Sequence, residues 1–198
     1  MTEASHTWIH ELRERLASPL PKRLAPGEQR QAAVLVPLYV DAGEIWTILT
    51  KRSDELPTHK GQVAFPGGAH ESGEDAWQTA LRETEEEIGV PAEKVLKLGQ
   101  LDEASTPSGF QIIPCVGAVP YPLETTANLD EISEVFSIPL LAFAATKVVE
   151  DRTVRIDGVD RLLRVYHVGR HQVWGLTANI VGNLLRRLDL EVDQELLS

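Results

Sequence analysis

The stretch from Gly73 to Pro91 constrains this chain more than any other. Residues 74–88 carry apolar side chains at helical spacing, and Gly89 and Pro91 follow directly. A glycine just past a helix and a proline soon after are strong stop signals. Ser72 is the expected N-cap, with Asp75 three residues on as a weak capping-box partner. At about 100° per residue from Ala76, the residues Ala76, Ala80, Thr84, Trp77, Ile88 and Leu81 fall between about 0° and 140°. They form the expected buried face. Glu87, Glu83 and Glu86 fall near about 20°, 340° and 280°, on one arc beside it, while Glu85 lies near about 180°.

Three carboxylates on one arc are a liability in an isolated helix. Like charges at this spacing cost a few tenths of a kcal/mol each. Glutamates at a C-terminal end also oppose the helix dipole. A divalent cation bound among them removes both penalties, and hard oxygen donors favour Mg²⁺ or Mn²⁺. Taken alone, such a string reads as a solvated acidic face at least as readily as a metal site.

The remaining segments surround this helix with strands. Residues 7–17 read as a helix and 18–27 as a proline-bearing linker, so the expected domain plan is 1–25 as an N-terminal helix and linker and 26–198 as one domain. Residues 32–40 read as a strand despite Pro37, and 44–51 as its hairpin partner across Asp41-Ala42-Gly43. Residues 52–73 read as a long loop with partial order at 62–65, and loops of that length are usually functional or disordered. Further strands are expected at 95–102, 111–119, 152–157 and 162–168. Short helical pieces are expected at 128–136 and 139–145, and a closing helix at 176–188. Helices interleaved with strands on one core imply a layered α/β (α+β) domain with a mixed β-sheet between α-helices.

Charge narrows the function. The net charge is −11, which argues against a sequence-independent nucleic-acid binder, since such proteins are basic. It does not argue against an anionic small molecule, because divalent cations bridge acidic groups to phosphate oxygens. The amphipathic N-terminus lacks the apolar core of a secretory signal, and no apolar run reaches 18 residues. Cys115, the single cysteine, reads as a small buried hydrophobe and fits a reducing compartment. The expectation is therefore a cytoplasmic protein without nucleic-acid or membrane partners, with a second copy of the chain as an option.

The acidic string does not stand alone. Gly68, Glu74, Arg82, Glu83, Thr84, Glu86, Glu87, Gly89 and Val90 match the pattern G-x5-E-x7-R-E-U-x-E-E-x-G-U, with U a bulky aliphatic. All seven fixed positions agree, a coincidence expected about once in a million chains at ordinary residue usage. Thr84 is the one departure. The chain thus resembles the Nudix hydrolases. That likeness implies metal ligation by Glu83, Glu86 and Glu87, completed by the backbone carbonyl of Gly67 or Gly68. It further implies a bracing salt bridge between Glu74 and Arg82. A cation so held bridges a pyrophosphate and activates water; the general base is Glu83, Glu131 or Glu134, with Glu131 and Glu134 equally readable as a surface helix face.

A second stretch speaks to substrate. Residues 49–68, LTKRSDELPTHKGQVAFPGG, resemble the signature that precedes the box in Nudix coenzyme A pyrophosphatases. Leu49, Thr50, Arg52, Ser53, His59, Gly61, Val63, Phe65, Pro66, Gly67 and Gly68 carry the match, and Pro57 stands where a basic residue is common. The likeness implies cleavage of coenzyme A to 4′-phosphopantetheine and 3′,5′-ADP. Arg52, Ser53, His59, Lys60, Gly67 and Gly68 are the candidate substrate contacts, and Lys51 is a further cation within reach of phosphate. The alternatives are another nucleoside diphosphate derivative, such as ADP-ribose or NADH, and a non-catalytic Nudix-fold binding module.

Overall fold

A computed structural model describes residues 3–25, 27–56, 60–145, 149–156 and 159–190. The apolar run after Arg30 forms the central strand β1 (Arg30–Asp41), which turns at Ala42-Gly43 into β2 (Glu44–Arg52). β1 is buried on both faces, as a continuous apolar run demands. Ala33, Leu35 and Tyr39 pack towards one layer, and Val36 and Leu38 towards the other. β7 (Phe110–Ala118) runs parallel to β1 along Arg30–Leu38, and β5 (Leu96–Gln100) closes that flank. The sheet is therefore mixed. Pro37 is tolerated because β1 changes partners there. On one side it pairs β4 (Gly67–Ala69) through Ala32–Val34 and β2 from Leu38 onward, and Pro37 falls in the gap.

Helix α2 (Ala76–Ile88) covers one face of the sheet through Ala80 and Ile88. The opposite face is covered by α1 (Glu3–Ala17), α4 (Gly175–Arg187) and a second sheet of β9 (Val149–Ile156), β10 (Val159–Val168) and β11 (His171–Trp174). Mixed sheet between helices is the architecture expected. Ile9, Leu12 and Leu16 of α1 are buried in the same cluster as Leu184 and Leu185 of α4. The segment after α1 is tied down as well: Asp102 accepts the Lys22 backbone N–H at 2.9 Å, and Glu103 accepts that of Leu24 at 2.8 Å. Among the described residues no helix is long and apolar enough to cross a membrane.

Three readings are corrected. Residues 128–136 are not helical: β8 (Ile132–Pro139) pairs antiparallel with β2 along its whole length. Ile132 and Ile138 are buried and Phe136 packs on the core, while Ser133 and Ser137 are exposed. That period of two was present in the sequence but is short enough to mimic a helical turn. The N-cap of α2 is Asp75, not Ser72. Its side chain accepts the Gln78 backbone N–H at 2.9 Å, and Gln78 accepts the Asp75 N–H at 2.8 Å. The third is narrower: residues 52–73 have the order expected at 62–65, as β3 (Val63–Ala64), but also hold β4, which had no expectation. Smaller differences are the 3-10 turn Ala92–Lys94, the bridge strand β6 (Ala104–Ser105), and β11, which had no expectation. α3 (Leu140–Ala144) lies within the helical piece expected at 139–145.

Candidate active site

Because Asp75 starts the helix, Glu74 sits just before it and faces back along the first turns. Arg82 takes both oxygens of Glu74, Nε to Oε1 at 2.8 Å and Nη2 to Oε2 at 3.2 Å. The Thr79 hydroxyl donates to the same carboxylate at 2.6 Å. Hydrogen bonds from Arg82, from Thr79 and from the Glu71 backbone hold Glu74 down at about 2. Arg82 also donates to the carbonyl of Ala69 at 3.1 Å, which fixes β4 to the helix. The expected brace between loop and helix is thus a fork with a third partner. The sign of its pH dependence follows: Glu74 is depressed from an ordinary 4.5, so its contribution is complete above 4.5 and is lost as pH falls towards 2. The melting temperature of wild type should fall more steeply than that of Arg82→Ala across that window. Parallel curves would deny the fork a stabilising role.

The glycine pair lies under the acidic arc. Gly67 in β4 donates its N–H to Glu87 Oε2 at 3.2 Å. A Cβ placed on Gly68 would lie 2.4 Å from the Glu83 carboxylate carbon, so Glu83 rests directly on that glycine. Glu87 is 3% exposed and Glu86 projects outward, with its side chain 57% exposed. Burial pushes the Glu87 carboxyl up to about 8, against the Gly67 N–H and Arg52, with Glu83 and Glu131 adding to the rise. Burial also raises Glu83, opposed by Arg82 and reinforced by Glu86 and Glu131. Thr84 fits the buried face because its hydroxyl donates to the Ala80 carbonyl at 2.6 Å, leaving the methyl to pack.

Arg52 ends β2 on the α2 side of the sheet, its Nη1 3.9 Å from Glu87 Oε1 and its buried Nε without a partner among the described residues. The rest of the guanidinium, on a side chain 27% exposed, is a donor group beside the carboxylates for an anionic oxygen. Ser53 is buried and structural in its contacts: its N–H donates to the Glu131 carbonyl at 2.8 Å. That bond places Glu131 beside Arg52, where its charge acts on both Glu83 and Glu87. Glu134 is on the other face of β8, bonded to Arg170. The structure therefore separates two carboxylates that looked alike in sequence. Lys60 is exposed, and His59 and Pro57 lie outside the described residues. Sequence reasoning missed the loop before β8, where Thr126 and Asn128 donate N–H groups to the Ile88 and Glu87 carbonyls, each at 2.9 Å. Capping of this kind leaves no local signature.

The donor set suits a hard divalent cation: three carboxylates and the carbonyls of a glycine pair. A buried carboxyl raised to about 8 is a group that a nearby cation would ionise. Among the described residues, however, no group of three His, Cys, Asp or Glu stands ready as a ligand set. Arg82 Nη1 takes Glu83 at 2.9 Å and Glu86 at 3.1 Å, so those two would exchange a guanidinium for the metal.

Comparison with known proteins points the same way. The NUDIX domain family profile matches residues 29–153. A protein of Pectobacterium atrosepticum called uncharacterized Nudix hydrolase NudL is 42% identical over 170 residues, covering 83% of this chain and 86% of its own. A protein of the same name from Photorhabdus laumondii is 36% identical over 173 residues, covering 87% and 91%. The crystal structure of a MutT/nudix family protein from Enterococcus faecalis superposes with a TM-score of 0.56 at 18% identity, over 96% of this chain and 70% of that one.

Proposed function

The chain belongs to the Nudix hydrolase family, and from that premise we propose that it is a pyrophosphatase that cleaves coenzyme A and its derivatives to 4′-phosphopantetheine and 3′,5′-ADP. Nudix hydrolases generally use divalent metal ions; here Glu83, Glu86, Glu87 and the carbonyl of Gly67 would hold Mg²⁺ or Mn²⁺. The bound ion supplies charge neutralisation at the pyrophosphate and a lowered pKa for water. The observation that carries the reading is Glu87, buried against the Gly67 N–H with Arg52 and Glu131 beside it. Strongly perturbed buried carboxyls cluster at functional sites.

The chain's own residues divide the work. Arg52, its side chain 27% exposed, offers its outer guanidinium N–H groups to a phosphate oxygen and so orients the anhydride. Glu131, whose charge acts on both Glu83 and Glu87, takes the proton of the attacking water. Water adds to phosphorus, the bridging P–O bond breaks, and each phosphate leaves with one oxygen of the former anhydride or water. Arg82 and Glu74 hold the helix against β4 and touch no substrate. Glu131→Gln should lower kcat about a hundredfold with little change in KM. A loss confined to KM would remove Glu131 from proton transfer.

The substrate assignment rests on the stretch 49–68 and is tested by one assay. Purified protein with Mg²⁺ is given coenzyme A, ADP-ribose and NADH side by side. We expect the highest kcat/KM on coenzyme A. A preference for ADP-ribose or NADH would overturn the substrate and leave the reaction class intact.

A further inference from the structure

The end of β2 presents chemistry on both faces of the sheet. Arg52 faces α2 and the acidic arc; Lys51, one residue earlier, points to the opposite face. Its neighbour across the β2–β8 ladder is Glu134. The turn between β10 and β11 brings two more basic groups to the same carboxylate. Arg170 hydrogen-bonds Glu134, and His171 Nε2 lies 3.5 Å from its Oε1. The imidazole is stacked flat on Phe136, ring centroids 3.8 Å apart and planes 7° apart, with its side chain 12% exposed. Lys51 is close enough for its charge to act on His171. Arg170 and His171 thus meet one carboxylate whose ladder partner is a third basic residue, Lys51, in a chain whose net charge is −11. Nothing in folding calls for this excess, because a single partner would neutralise Glu134.

We propose that Lys51, Arg170 and His171 form a second anion subsite, which takes the phosphomonoester of a substrate whose pyrophosphate lies at the acidic helix. The inference rests on the coenzyme A reading, since that substrate carries a 3′-phosphate on the ribose next to its pyrophosphate. A ligand straddling the end of β2 would place one phosphate group on Arg52 and the other on Lys51. Arg170 is the adjustable member: its side chain is 76% exposed and can leave Glu134 for a dianionic phosphate. His171 is the fixed member, held in its plane by Phe136. The phosphomonoester differs from the scissile anhydride in carrying no bond that breaks, so the subsite contributes recognition and orientation only.

The test is calorimetric and needs no turnover. Adenosine 3′,5′-bisphosphate and 5′-AMP are titrated into the full-length protein with Mg²⁺ present. Wild type should bind the bisphosphate about tenfold more tightly or better, the scale of one charge-assisted contact. Arg170→Ala and Lys51→Met should each lower that ratio severalfold and leave the affinity for AMP within about twofold of wild type. Arg170 is so exposed that its truncation does not threaten folding, and melting curves check Lys51→Met. No preference in wild type, or a preference that survives both substitutions, would overturn the subsite. The two readings fail separately: an unmet preference with coenzyme A still hydrolysed removes only the subsite. A preserved preference without coenzyme A hydrolysis removes only the substrate assignment.

Discussion

Glu87→Gln should nearly abolish turnover and at the same time make the metal-free protein more stable at alkaline pH. The two effects have one cause. Glu87 is 3% exposed, and burial raises its carboxyl to about 8 from an ordinary 4.5. Below 4.5 the group is protonated in both folded and unfolded chains and contributes nothing to pH dependence. Between 4.5 and 8 the unfolded chain ionises while the folded one does not, so stability falls as pH rises. Above 8 the penalty is complete. A tenfold change in proton affinity corresponds to about 1.4 kcal/mol, so the full effect is on the order of a few kcal/mol. Glutamine still accepts the Gly67 N–H and carries no such penalty. In EDTA at pH 9, Glu87→Gln should therefore melt roughly 5 °C or more above wild type, and at pH 4 the two should coincide. Adding Mn²⁺ should raise the melting temperature of wild type and not of the variant. Turnover under saturating Mg²⁺ should fall on the order of a hundredfold or more, since a lost ligand exceeds the effect of a lost supporting contact. Full activity in Glu87→Gln would refute the metal assignment.

The adjacent glycines should fail in opposite ways. Gly67 has φ +156°, and a Cβ there would lie 2.3 Å from the Ala33 carbonyl oxygen and 2.5 Å from Val34 Cα. Both atoms belong to the central strand, which β2 and β7 hold in register, so neither can move aside. Gly67→Ala should cost about 3 kcal/mol or more and yield little folded protein. The three atoms nearest the Cβ of Gly68→Ala all belong to the Glu83 carboxyl group, at 2.4 to 2.5 Å. That is the tip of a rotatable side chain, so the fold should survive with a melting temperature within a few degrees of wild type. Glu83 must leave its position, however, and turnover should drop at least about tenfold if it is a ligand. Melting curves and steady-state rates on the two variants check both halves. A Gly68→Ala enzyme with unchanged kcat and kcat/KM would release Glu83 from the site.

Much of the scaffold was legible because its signals are local. Helix periodicity from Ala76 and the Gly89 stop place α2 to within two residues at its start. The β-branched run before Asp41 places β1, and the turn residues place β2. What failed was equally local in origin. Residues 132–139 satisfy a strand only because β2 offers an unpaired side; their own pattern is ambiguous over so short a span. Ser72 and Asp75 are both good caps, and the choice fell to Asp75 because Glu74 is drawn to Arg82 and cannot be a helical residue there. Glu131 and Glu134, two candidates that differ by three positions, parted once β8 put them on different sides of the sheet.

By itself the sequence determined the acidic helix, its bracing pair and the family to which the chain belongs, since side-chain spacing along one helix is set by its pitch and needs no distant contact. Only the tertiary structure decided which carboxylate is buried, which acid faces the arc, and that Arg170 and His171 come to stand beside Lys51. Those outcomes depend on the burial and neighbours supplied by strands far apart in the chain, and desolvation and charge act through space rather than along the backbone.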